Sequence, residues 1–157
     1  MEQGFAATRT RMQTPMSGTF ITKSPRGTQS LGRKFARCLK KGDCVALTGT
    51  LGAGKTALVR GIAEGLGLNE AKMVSSPTFV LVQEYPSCPP AYHIDLYRLA
   101  DPEGEIEGLG IREMLQQGVV LVEWAERAGA ILPHKRWEIH IEITGPKERK
   151  FEVRMVQ

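Results

Sequence analysis

The chain has 157 residues, 41% of them apolar and 24% charged, with a net charge of +4. This is one ordinary domain of globular composition, which excludes global disorder. No stretch approaches the roughly 20 consecutive apolar residues of a membrane-spanning helix; runs such as Val119–Val122 are strand-sized.

The charge is unevenly spread. Residues 1–41 hold nine Lys/Arg against one acid, Glu2, whereas residues 42–157 hold 12 against 16. The basic front suits RNA or an acidic partner, and equally a solvated helix face. Cys38, Cys44 and Cys88 form no C-x-x-C pair, which excludes a zinc ribbon or a thioredoxin-type site. They read as reduced thiols of a cytoplasmic protein.

Residues 1–17 lack apolar periodicity and the continuous apolar segment of a secretory signal. They are expected to form a disordered extension ahead of a single domain over 18–157. Thr19–Thr22 is a short strand signal. Ser24-Pro25 reads as a helix N-cap with proline in the first turn. Leu31, Phe35 and Leu39 then form one apolar stripe, and the helix is expected to run to Gly42, with Lys40-Lys41 favoured by its dipole.

Cys44–Thr48 is a buried-strand candidate, followed by a glycine-rich turn and a helix over about Thr56–Leu66, stopped by Gly67. Thr78–Tyr85 and Tyr92–Tyr97 read as strands. In the second, His93, Asp95 and Tyr97 share the polar face. Asp101–Glu107 reads as a solvated helix start that continues through Ile111–Gln117. Val119–Val122 is an apolar strand ending at Glu123-Trp124. Ile139, Ile141 and Ile143 mirror Phe151, Val153 and Met155 across Gly145-Pro146, the pattern of an antiparallel hairpin with one wet face.

Gly49-Thr50-Leu51-Gly52-Ala53-Gly54-Lys55-Thr56 fits G-x-x-x-x-G-K-[ST] in full. The glycines let successive backbone N–H groups turn toward phosphate oxygens, and the helix that starts there adds its partial positive charge. Lys55 supplies a charge for the β and γ phosphates and Thr56 a hydroxyl for Mg²⁺. Such a loop needs a carboxylate near the metal, normally at the end of a neighbouring apolar strand. Glu123 has that position; Asp95 is the second candidate. The N-K-x-D signature that reads guanine is absent, so adenine is the expected base. No histidine cluster points to a metal site.

Together these blocks resemble the TsaE (YjeE) family of small bacterial ATPases that take part in making threonylcarbamoyladenosine in tRNA. The matching blocks are Gly49–Thr56, Ser76-Pro77-Thr78-Phe79, His93-Ile94-Asp95-Leu96-Tyr97-Arg98 and Val122-Glu123-Trp124, preceded by Leu31-Gly32-Arg33. The resemblance spans about residues 18–157. It implies ATP and Mg²⁺ as cofactors. Leu51, Gly52, Ala53, Gly54, Lys55, Thr56 and Ala57 would hold the nucleotide. Thr78 would lie in a nucleotide-sensing switch segment and Trp124 beside the nucleotide. Lys55, Asp95 and Glu123 would be catalytic, with Thr56, Glu123 and Asp95 around the metal. It further implies slow hydrolysis alone, stimulated by a TsaD-type transferase and a TsaB-type partner, with tRNA met through that complex. Two positions depart from the family's habit: Thr50 replaces an aspartate, and Ala57 replaces a threonine.

The expected fold is a single α/β domain of the P-loop NTPase kind, a mixed central sheet flanked by helices, with a C-terminal antiparallel hairpin. Two other readings share the loop. A small-molecule kinase would need lid arginines, but Arg60, Arg98, Arg112, Arg127, Arg136, Arg149 and Arg154 are scattered. A nucleotide-gated module holding tRNA on its basic front would not need the acid pair Asp95 and Glu123.

Overall fold

A computed structural model describes residues 16–69, 74, 75, 77, 81–99 and 102–157. Residues 1–15, Ser76, Thr78 and the beginning of the strand predicted from Thr78 lie outside the described residues. The described strands are β1 (Gly18–Thr22), β2 (Cys44–Gly49), β3 (Val82–Tyr85), β4 (Ala91–Asp95), β5 (Val119–Glu123), β6 (Arg136–Ile143) and β7 (Arg149–Val156). The helices are α1 (Pro25–Ala36), α2 (Lys55–Gly65), α3 (Pro102–Glu107) and α4 (Ile111–Gln117), with a 3₁₀ segment over Ala125–Ile131. The strands form one mixed sheet in the order β1-β7-β6-β2-β5-β4-β3. β2 runs parallel to both β5 and β6, and β4 parallel to β5, while the margins pair antiparallel.

The central strands are apolar on both faces because both faces are covered. Val45 and Leu47 of β2, with Val119 and Leu121 of β5, pack under α1 and α2 against Phe35, Leu58 and Ile62. Cys44 and Ala46, with Val120 and Val122, pack on the other face against Ile94, Ile111, Ala125 and Ala128. Leu47 and Leu121 are fully buried, each contributing about 1.5–3 kcal/mol by transfer from water. In the hairpin, Ile139 faces Val153 and Ile141 faces Phe151; these four are buried, whereas His140, Glu142 and Glu152 are exposed. The predicted one-sided alternation is present except at Ile143, which lies opposite Arg149 near the turn and is exposed.

α1 begins as its sequence dictates: the Ser24 hydroxyl accepts the Gly27 N–H at 3.0 Å, with Pro25 in the first turn. It packs on α2 through near-contact of backbones. A Cβ at Gly32 would stand 2.6 Å from the Leu58 carbonyl oxygen, and one at Gly61 would collide with the Gln29 backbone.

Three local readings are corrected. α1 ends at Ala36, not Gly42. Leu39 stays buried, which continues the apolar period past the helix, but Cys38 and Leu39 N–H bond to carbonyls three residues back. The Asp43 carboxylate then takes the Lys40 N–H at 2.9 Å and turns the chain into β2. The segment before β5 is two short helices separated at Gly110, whose φ is +77°. The polar face of β4 is not wet, because His93 on it is fully buried.

Candidate active site

β2 delivers the chain to the loop 50–54, and α2 starts at Lys55. Gly54 immediately precedes α2 at φ +106°, a conformation that a side chain would resist. The Lys55 ammonium folds under the loop. It donates to the Gly49 carbonyl at 2.5 Å and the Thr50 carbonyl at 3.0 Å, and lies 4.1 Å from the Trp124 ring centre. Lys55 is only 4% exposed. Burial lowers its pKa, opposed by the charges of Glu123, Glu126 and Asp95. A desolvated cation on a glycine-rich turn is suited to an anionic ligand.

β5 lies beside β2, with Glu123 in register with Leu47. Glu123, 2% exposed, ends this apolar strand. The Thr56 hydroxyl donates to its two carboxylate oxygens at 3.1 and 3.3 Å. His93 Nε2 lies 2.5 Å from Glu123 Oε2, and the Tyr85 hydroxyl 2.9 Å from His93 Nδ1. On β4, Asp95 pairs in register with Glu123, and its Oδ1 accepts the Tyr97 N–H at 2.9 Å. Burial, followed by the nearby Glu123 charge, holds the Asp95 carboxyl above the ordinary range, against the Tyr97 N–H, His93 and Lys55. Trp124 sits at φ +58° and meets Tyr97 edge-on, with ring centres 4.7 Å apart. Arg127 holds the chain after Asp95 in place by donating to the carbonyls of Tyr97 and Leu99 at 2.7 and 2.5 Å.

These groups line a cleft of about 410 Å³. Leu51, Gly52, Ala53, Gly54, Lys55, Thr56, Ala57, Asp95, Glu123 and Trp124, all expected from the sequence, meet there. Thr78 lies outside the described residues. Four further residues line the cleft: Pro77, Leu81, Tyr97 and Arg98. Tyr97 and Arg98 follow Asp95 in the same block, and Pro77 precedes Thr78, so their neighbours were the available signal. Tyr85 carried none. Its role arises because β3 pairs antiparallel with β4.

Among the described residues, no three or more His, Cys, Asp or Glu side chains gather as a self-contained metal centre. The donors at Thr56, Glu123 and Asp95 are hard oxygens. They fit Mg²⁺, which takes few protein ligands and keeps water and phosphate oxygens in its shell.

The family model for threonylcarbamoyl adenosine biosynthesis protein TsaE matches residues 22–151. The chain belongs to the TsaE family. The TsaE protein of Bacillus subtilis is 43% identical over 131 residues, covering 82% of this chain and 80% of that protein. That of Streptomyces coelicolor is 44% identical over 117 residues, covering 73% and 78%. The crystal structure of Bacillus subtilis YdiB superposes with a TM-score of 0.72 at 35% identity, covering 89% of this chain and 86% of that one. The TsaE match includes all four sequence blocks, and the YdiB likeness supports the mixed α/β fold. No described helix is long and apolar enough to cross a membrane.

Proposed function

We propose that this TsaE-family chain binds ATP with Mg²⁺ and hydrolyses it in the service of threonylcarbamoyladenosine formation in tRNA. A TsaD-type transferase and a TsaB-type partner would stimulate the reaction in the cytoplasm. The names of the TsaE relatives support the pathway. The observation that carries the chemistry is the Thr56–Glu123 contact at 3.1 Å, beside the buried Lys55 of the loop. It brings together the hydroxyl and the acid that P-loop enzymes use around their metal.

No covalent step is required. Backbone N–H groups of 51–56 and the Lys55 ammonium, moved from the loop carbonyls onto phosphate, would stabilise charge on the transferring group. Bound Mg²⁺ would supply further charge neutralisation between phosphates. Thr56 and Glu123 would hold the metal side, and Asp95 would orient the attacking water; the exchanged assignment of the two acids is the alternative. Trp124 would border the nucleotide, and Thr78 would belong to a segment sensing it. Residues 18–157 would act as one ATPase domain, with 1–17 as a disordered extension. The test is phosphate release with and without TsaB and TsaD of the same organism. Stimulated release that is absent in Lys55→Ala supports the reading, and release unaffected by Lys55→Ala contradicts it.

A second reading, an RNA-holding module, is favoured by one observation. Arg26, Arg33 and Arg37 line one face of α1 and its end, opposite the buried Thr28, Gly32, Phe35 and Ala36. Arg33 is already paired with Glu64 at 2.5 Å. Salt-dependent tRNA affinity of the full chain, lost on replacing Arg26, Arg37, Lys40 and Lys41 by Gln, would favour it.

A further inference from the structure

Behind Glu123 lies a buried hydrogen-bonded chain. His93 is fully buried and Tyr85 is 3% exposed, so their polar atoms must be satisfied by protein. Burial, reinforced by the Glu123 charge, pushes the Tyr85 hydroxyl up to about 12, so it keeps its proton at neutral pH. A backbone hydrogen bond with Ser75 opposes that rise.

The Tyr85 hydroxyl lies 2.9 Å from His93 Nδ1, and His93 Nε2 lies 2.5 Å from Glu123 Oε2. The two ring nitrogens therefore join Tyr85 on one side to the carboxylate on the other.

We propose that Tyr85 and His93 are positioning residues. They form a hydrogen-bonded chain, Tyr85 to His93 to Glu123, that fixes the Glu123 carboxylate in the cleft. His93 and Thr56 share Oε2, whereas among the described residues Oε1 has the longer 3.3 Å contact with Thr56. The chain presets which carboxylate oxygen is free to work. The proposal rests on the ATPase reading.

The experiment is kinetic and uses the full chain, so that positioning is separated from folding. Tyr85→Phe removes one oxygen and is expected to lower kcat about tenfold, within the 10–100-fold range seen for outer-shell partners. ADP affinity should stay close to wild type, with Tm lowered modestly because the buried His93 nitrogen loses its partner. His93→Leu should lose more, and His93→Gln, which keeps an N–H donor, should recover part of the loss. Unchanged kcat in folded Tyr85→Phe and His93→Leu, with wild type active, overturns the proposal and leaves the ATPase reading intact. Absence of phosphate release by wild type, alone and with TsaB and TsaD, counts against that reading instead.

Discussion

Glu123 and Glu138 each accept hydrogen bonds from two side chains, yet they occupy opposite environments. Glu123 ends a central strand at 2% exposure, between Thr56 and His93. Glu138 lies on the wet face of β6, with Arg136 at 2.7 Å and Arg154 at 2.6 Å, and Arg154 is largely exposed. Water could replace either arginine at little cost, so the outer cluster contributes little to stability. Glu123 is almost fully buried, so its protein partners replace most of its water, and the fold keeps a largely desolvated carboxylate there at a cost. We propose that this cost is kept for a role of the inner acid in the cleft.

The largest expected effect comes from the cleft. Lys55→Ala should reduce ATP turnover by at least about 100-fold, the scale of losing a charge-stabilising group at a reacting centre; steady-state phosphate release measures it. Removing the inner acid should also cost the fold. Glu123→Ala leaves the buried His93 donor without an acceptor and should destabilise by about 1–3 kcal/mol in denaturant titration. Glu138→Ala should cost under about 1 kcal/mol and leave turnover unchanged.

The pH dependence of Glu138 sharpens the contrast. Partial burial raises its pKa, but the Arg154 and Arg136 hydrogen bonds outweigh this and hold the carboxyl below the ordinary range. Its small stabilisation is therefore present at neutral pH, above the unfolded value, and is lost as pH falls through the depressed folded value. The Tm difference between wild type and Glu138→Gln should vanish in acid; a difference that grows there would refute the assignment. The thiols repeat the contrast without a stability effect. Burial raises Cys44 to about 12, with Asp43 adding and Arg136 opposing, whereas Cys88 is exposed. Native protein should be alkylated at Cys88 and not at Cys44, as mass spectrometry of the labelled chain would show.

Much of this was legible in the residues. The loop Gly49–Thr56, the apolar strand ending at Glu123 and the alternating hairpin are local patterns, and local geometry suffices to form them. Three features were not legible. Leu39 keeps the apolar period of α1 after the helix has ended, because burial does not distinguish a helix from a turn passing over the same core. Alternation placed His93 on a polar face, but strand order decides whether that face is wet, and strand order is not written in the period. The Tyr85–His93 contact depends on β3 pairing beside β4, a meeting of chemistry that only the folded sheet creates.

The central claim is that Thr56, Glu123 and Lys55 form a hydrolytic site, not only a binding one. The direct test compares wild type with Glu123→Gln, which keeps the carbonyl that His93 needs. ATP turnover is measured with TsaB and TsaD present, alongside ADP binding by Trp124 fluorescence in a Trp137→Phe background. The account predicts unchanged binding with turnover reduced by about 100-fold. Equal turnover in the two proteins would contradict it.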